Sequence, residues 1–201
     1  ELIEVFATEP KVVKYVDLPL QHAHDAVLRS MNRPDTRAGM EELIAKLRAR
    51  IPGVAIRSTF IVGFPGETDA QYQTLRRFVE KQRFDKVGIF TYSEEEDTSA
   101  AAMGKKVSEE VMQERYHDLM SLQSKISEEI NIGLEHQELD VLIEGHDAEQ
   151  SGIAVGRSYR EAPEVDGQIY IEGDAESAPG EIVRVRLLQG FTYDIVGERV
   201  Q

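Results

Sequence analysis

Residues 59–69 read TFIVGFPGETD, an apolar β-rich run that meets a glycine-proline turn and then a helix start. A strand feeding a helix through such a turn is the ligand-binding corner of an α/β protein, because the chain turns back at the carboxyl end of the strand. Gly63 and Gly66 let backbone approach a ligand with no Cβ in the way, and Pro65 stiffens the turn between them. Thr68 followed three residues later by Gln71 forms a capping box, which fixes where the next helix begins. Many α/β proteins join a strand to a helix in this way, so the flanking elements have to decide what the corner serves.

Working outward, strands alternate with helices over the first half of the chain, a pattern of parallel strands covered by helices. Lys14 to Leu20 (KYVDLPL) reads as a short buried strand, followed by helices around His24 to Met31 and from Thr36 to Arg50. Ile56 to Gly63 is the next strand. The helix from Thr68 to Gln82 puts Tyr72, Leu75, Phe78 and Val79 on one face, and Val87 to Ser93 is a third strand that runs into the acidic stretch EEEDTSAAA. Three βα units in this length make part of a barrel, since a closed eight-stranded one takes about 250 residues, and the chain is expected to begin inside a domain. A long helix follows from about Ser108 to His136. After Gln137 the pattern changes to five short alternating runs (ELDVLIEG, IAVGR, VDGQIYIEG, EIVRVRLL, TYDIVGERV), with Val183, Val185 and Leu187 inward and Arg184 and Arg186 outward. The expected fold is thus an α/β partial (βα) barrel over residues 1–137 and a small all-β antiparallel barrel over 138–201.

The chain of 201 residues is 41% hydrophobic and 30% charged, ordinary values for a globular protein. No apolar run reaches the roughly 20 residues of a membrane span, and the first residues, ELIEVFATEP, lack the basic-then-apolar pattern of a signal peptide. No membrane association and a cytoplasmic location are expected. The net charge is −14, and residues 138–201 hold 14 acids and 5 bases, −9 in 64 residues. Such a surface repels nucleic acid and favours a basic partner, beyond its general benefit to solubility. There is no cysteine, so this chain can form neither a disulfide nor a cysteine-ligated zinc site or iron–sulfur cluster.

In parallel α/β folds ligands lie at the carboxyl ends of the strands. The residues to examine are therefore Gln21 and His22 after the first strand, Gly63 to Glu67 (with Phe64 and Gly66) after the second, and Tyr92 to Glu96 (with Ser93) after the third. Gln21 can hydrogen-bond a ribose hydroxyl or a carboxylate, and main-chain groups near Val62, Gly63 and Thr91 can read an adenine edge. Each of these residues also serves well as a cap or turn residue; together they define one rim. His22 and His24 suggest a metal pair, but no third ligand has suitable spacing, and a helix-start role is the simpler reading. Neither a Ser-His-Asp arrangement nor a lysine closing a glycine loop is evident, which speaks against hydrolase and nucleoside triphosphatase chemistry.

The ordered set YVDLPLQHAHDAVLRSMNR, IRSTFIVGFPGET, KVGIFTYSEEEDT and the helix ending near INIGL resembles the second half of the radical S-adenosylmethionine domain of methylthiotransferases. The small C-terminal barrel is similar to their TRAM domain, and the resemblance runs along nearly the whole chain. Gly156 to Gly167 (GRSYREAPEVDG) resembles the branch that modifies ribosomal protein S12, and its Arg157, Tyr159, Glu161, Glu164 and Asp166 are the partner-binding residues this implies. The resemblance implies methylthiolation of an aspartate β-carbon on that protein. A reduced 4Fe-4S cluster would cleave S-adenosylmethionine to a 5′-deoxyadenosyl radical, and a second 4Fe-4S cluster would support sulfur insertion. It also implies that the rim of Gln21, Gly63 and Tyr92 holds S-adenosylmethionine and that Arg33, in Met-Asn-Arg, contributes charge. The family ligates its clusters through cysteines this chain lacks, so it is expected to be a C-terminal fragment, inert alone. Pro34-Asp35-Thr36 departs from the family's commoner basic continuation, which weakens the case for Arg33.

Two other readings stand beside this one. A methylthiotransferase acting on tRNA would bind tRNA through the C-terminal barrel with a steep salt dependence, which the acidic charge disfavours. A non-catalytic module would dock a protein partner with the small barrel and keep the α/β half as scaffold.

Overall fold

The computed structural model describes residues 1–200 and divides into two compact units. The first comprises residues 1–9 and 16–123; the second comprises residues 10–15 and 124–200 among those described.

In the first unit, strands β1 (Tyr15–Gln21), β2 (Ala55–Val62) and β3 (Lys86–Thr91) lie side by side in that order, β2 and β3 running parallel from Arg57 against Lys86 to Val62 against Thr91. Helices α2 (Asp25–Ser30) and α3 (Arg37–Arg50) connect β1 to β2, and α4 (Asp69–Gln82) connects β2 to β3. Their starts are written in the sequence: His24 caps α2 through Nδ1, Thr36 caps α3, and Thr68 with Gln71 makes both bonds of a capping box on α4. β2 alternates, burying Ile56, Ser58, Phe60 and Val62 while Arg57, Thr59 and Ile61 stay partly open. Phe60 meets Phe78 of α4 edge-on at 6.3 Å and Phe84 at 5.7 Å, and with Leu28, Ile44 and Leu75 these rings fill the layer between sheet and helices. The opposite face of the sheet is less covered, with the Arg57–Asp17 ion pair at 2.8 Å and Phe90 56% exposed. A short α1 (Leu2–Thr8), which its sequence did not announce, is tied to α3 by Glu4 accepting from Arg50 at 2.6 and 3.0 Å.

Helix α5 (Glu109–Ile132) ends four residues before the predicted end. Gly133 follows it, the next residues turn, and His136 adopts φ +68° while its N–H donates to the Leu187 carbonyl at 2.7 Å, so the chain has already joined the barrel.

The second unit contains a closed barrel of β4 (Glu138–His146), β5 (Ile153–Arg157), β6 (Ile169–Glu172), β8 (Ile195–Arg199) and β7 (Ile182–Gly190), in that spatial order. Four of its pairings are antiparallel and one, β6 with β8, is parallel, so the barrel is mixed where an all-antiparallel one was expected. Closure requires it: β7 lies between β4 and β8, which leaves β8 to meet β6 in the same direction. Val141, Ile143, Ile169, Ile171, Val183, Val185, Leu187 and Ile195 fill the interior. Arg184 and Arg186 point outward onto Glu138, Asp140 and Glu198.

Candidate functional site

At the carboxyl ends of the three strands lies a cavity of about 500 Å³. Gln21 closes β1, Ile61 and Phe64 come from the end of β2 and the turn after it, and Phe90, Thr91, Tyr92 and Ser93 from β3 and its exit. Ser30, Met31 and Arg33 line it from the end of α2, and Thr98, Ser99 and Ala100 from the loop that follows β3. The size suits a nucleoside-scale ligand, for which pockets of about 300–1,000 Å³ are typical.

Three buried polar atoms on residues of this wall have no hydrogen-bond partner: Gln21 Oε1, the Tyr92 hydroxyl and Arg33 Nε, the last of which still lies in an ion pair with Asp35. A buried unpaired acceptor or hydroxyl costs about 1–3 kcal/mol, so each is a standing demand for a ligand or water. Gln21 also sits at φ +68°, a left-handed conformation uncommon for a residue with a side chain, which turns it off the strand at the cavity. The Tyr92 ring packs edge-on to Phe64 at 5.4 Å. Arg33 is held by an ion pair to Asp35 at 3.3 Å and donates from Nη2 to the Pro19 carbonyl at 3.1 Å.

Of the ten residues singled out as cofactor-binding, Gln21, Arg33, Phe64, Thr91, Tyr92 and Ser93 are brought together here. Gly63 lines a smaller neighbouring pocket of about 230 Å³ with Pro65, Tyr92, Glu94, Lys106 and Met112. It is in the left-handed region at φ +78°, and a Cβ on it would run into the Met112 side chain of α5. Gly66, at φ +84°, faces open space and donates its N–H to the Lys105 carbonyl at 2.9 Å. Val62 is fully buried in the sheet layer.

His22 is fully buried beneath the rim. Its Nδ1 accepts the His24 N–H at 2.9 Å, which leaves Nε2 to carry the proton and donate to Glu67 Oε1 at 3.1 Å. Glu67 Oε2 accepts from the Gly63 N–H and from Arg115 Nη1 of α5, the latter at 3.1 Å. Arg115 lies over the Tyr72 ring at 5.4 Å, and Tyr72 donates its hydroxyl to Asp118 at 2.6 Å. Burial, then the bond to Asp118, pushes the Tyr72 hydroxyl well above its ordinary range. Sequence reasoning reached Glu67 only as the last residue of the run Gly63 to Glu67, without its buried role, and missed Arg115, 48 residues away. The available signal was a lone acid in an otherwise apolar turn. Among the described residues no group of three His, Asp or Glu side chains is placed to hold a metal ion, and no helix is long and apolar enough to cross a membrane.

The five partner-binding candidates lie on the segment that leaves β5. Arg157 pairs with Glu144 at 2.8 Å, Tyr159 lies under the Arg160 guanidinium at 5.8 Å, and Glu164 is exposed at φ +63°. Glu161 turns inward, accepting the Ser158 N–H at 2.9 Å and hydroxyl at 2.6 Å. Asp166 accepts the Tyr15 hydroxyl at 2.7 Å and the Ala162 N–H at 2.9 Å. Arg157, Tyr159 and Glu161 line a groove of about 680 Å³ together with Leu139, Leu142 and Ile182.

Comparison with known proteins gives both halves a family. Residues 1–79 match the radical SAM superfamily, and residues 137–200 match the TRAM domain. Among curated relatives, ribosomal protein uS12 methylthiotransferase RimO of Heliobacterium modesticaldum is 51% identical over 203 residues, covering 100% of this chain and 43% of the relative. The protein of that name from Geotalea uraniireducens is 48% identical over 200 residues, 99% of this chain and 44% of the relative. That from Caldanaerobacter subterraneus subsp. tengcongensis is 46% identical over 198 residues, 98% of this chain and again 44% of the relative. The chain thus spans somewhat under half the length of the curated relatives it matches.

Proposed function

We infer from a chain that belongs to the TRAM-bearing radical SAM methylthiotransferases, in the RimO group, that it supplies such an enzyme with part of its S-adenosylmethionine site and with the barrel that meets the protein substrate. The observation that carries this reading is the cavity at the strand ends, with Gln21 Oε1 and the Tyr92 hydroxyl unpaired in its wall. These residues fit an adenosyl ligand: Gln21 accepts from an amine or ribose hydroxyl, Tyr92 donates, and Phe64 and Phe90 offer apolar surface to a base. S-adenosylmethionine, once bound, supplies the methyl and 5′-deoxyadenosyl groups of the reaction. The chain's part is to bind and orient that ligand and to exclude water from it. The residues present do not fit the two 4Fe-4S clusters, since there is no cysteine to ligate either. Those ligands have to come from outside this chain, and the 201 residues alone are inactive.

The proposed substrate is an aspartate β-carbon of ribosomal protein S12. Its support is the name carried by the relatives and the charge of the barrel, −9 over residues 138–201, which attracts a basic protein and repels tRNA. Equilibrium binding of ribosomal protein S12 and of bulk tRNA to the chain, across a salt titration, tests this. S12 is expected to bind, to weaken with salt, and to weaken further when exposed Glu164 is reversed to Lys. Capture of tRNA in preference to S12 would overturn the assignment.

A further inference from the structure

We propose that Glu67 is a positioning residue for the cofactor cavity, acting through the network that holds the carboxyl ends of β1 and β2 in fixed relation. The proposal rests on the reading of the cavity as the S-adenosylmethionine site.

Glu67 touches no cavity surface. Its side chain is wholly buried, and it draws donors from three separate places: His22 immediately after β1, Gly63 immediately after β2, and Arg115 on α5. A buried carboxylate is costly unless its lone pairs are filled, and here one oxygen takes the imidazole N–H while the other takes a backbone N–H and a guanidinium. The two outer donors are each one residue from a cavity wall. His22 adjoins Gln21, and the bond from His22 holds the chain just beyond the left-handed residue whose Oε1 is unpaired at the wall. Gly63 adjoins Phe64, whose ring carries Tyr92 edge-on. One carboxylate therefore fixes both the amide of Gln21 and, through Phe64, the ring of Tyr92. The tautomer is fixed too, because the His24 N–H on Nδ1 keeps the His22 proton on Nε2, aimed at Glu67. Loss of the carboxylate frees Gln21 to relax out of its left-handed conformation, which removes the preorganised acceptor rather than the cavity itself.

The test uses E67A and E67Q in the complete, cluster-loaded protein that contains this chain, with S-adenosylmethionine binding measured by calorimetry. E67Q has a single acceptor oxygen: placed at Gly63 and Arg115 it keeps the β2 end of the network, while its amide NH2 meets the His22 Nε2–H donor and gives up the β1 end. E67A is expected to weaken S-adenosylmethionine binding by about tenfold or more, and E67Q by about threefold or more but less than E67A, with both lowering the melting temperature. Where E67A alone does not fold, E67A/R115M, which leaves no buried unpaired charge, is measured in its place. A purely structural role would lower the melting temperature and leave the dissociation constant of the folded protein unchanged in every variant, and that result overturns the proposal. Wild-type protein that binds no S-adenosylmethionine would instead sink the reading of the cavity. Amide exchange in the 201-residue chain gives an independent readout, with Gly63 and His24 protected in wild type and exposed in E67A. Protection at both positions in E67A would also refute the network's role.

Discussion

Replacing Gly63 by Ala isolates what the turn after β2 requires. Gly63 adopts φ +78°, where a Cβ costs about 1–2 kcal/mol from backbone sterics alone. The same Cβ would run into Cγ and Sδ of Met112, and overfilling a packed site of this kind costs about 1–3 kcal/mol more. The nearest of these atoms, Cγ, moves with the first side-chain torsion of Met112, so part of the second cost is relieved by rotation of that flexible side chain. G63A is therefore expected to destabilise the first unit by about 2–4 kcal/mol, and G63A in an M112A background by only the backbone part, about 1–2 kcal/mol. The coupling of about 1–2 kcal/mol between the two positions is the quantity that the packing predicts. Urea unfolding of the four variants, followed through helical circular dichroism, measures it. Strict additivity would refute the claim that Met112 occupies the space Gly63 leaves open. A G63A variant as stable as wild type would refute the left-handed turn as well.

Two further outcomes can be checked. Tyr92→Phe removes a buried hydroxyl that has no partner, so the free protein should be as stable as wild type or slightly more so, while S-adenosylmethionine binding in the complete enzyme weakens about five- to thirtyfold; calorimetry paired with thermal melts separates the two effects. Asp174 carries a pH signature of the barrel: burial works against its charge, yet the Ser177 hydroxyl and N–H, the Glu176 N–H and nearby Arg199 hold its carboxyl below the ordinary range. A depressed folded-state value means that this stabilisation is complete above the unfolded value of about 3.9 and is lost as pH falls through the folded value. The stability gap between wild type and D174N should accordingly be constant near neutrality and close below about pH 4 in acid melts; a gap that widens with acid would reverse the sign of the argument.

Most of the fold was legible because local signals and tertiary demands agree. The capping box at Thr68, the strand that runs into the turn at Gly63 and the inward valines of β7 each follow from rules that operate within a few residues, and each is met in the structure. The parallel pairing of β6 with β8 was not legible, since strand direction in a closed barrel depends on which strands become neighbours. The shortened end of α5 reflects the same limit, as the residues after Ile132 are drawn into backbone bonds with the β7 strand.

The candidate site divides along the same line. Gln21, Phe64, Thr91, Tyr92 and Ser93 could be found because strand ends in parallel folds converge, a consequence of topology that three strand positions suffice to invoke. Glu67 lies in the same strand-end run, but its role as the buried carboxylate beneath them could not be read, because in sequence it is one more polar residue ahead of a helix cap and its partners are set by burial. Within the loop 156–167, proximity in sequence misleads in a different way. Glu161 and Asp166 are acids on a segment expected to face a basic partner, yet each commits an oxygen to hydroxyl and backbone donors, and Glu164 alone of the three acids is exposed. An acid committed to its own turn has little left to offer a partner beyond a long-range field, whereas an exposed one can contribute a direct, salt-sensitive contact. Charge attraction at this loop should therefore concentrate at Glu164, with Glu161 and Asp166 giving the loop the shape from which Glu164 projects.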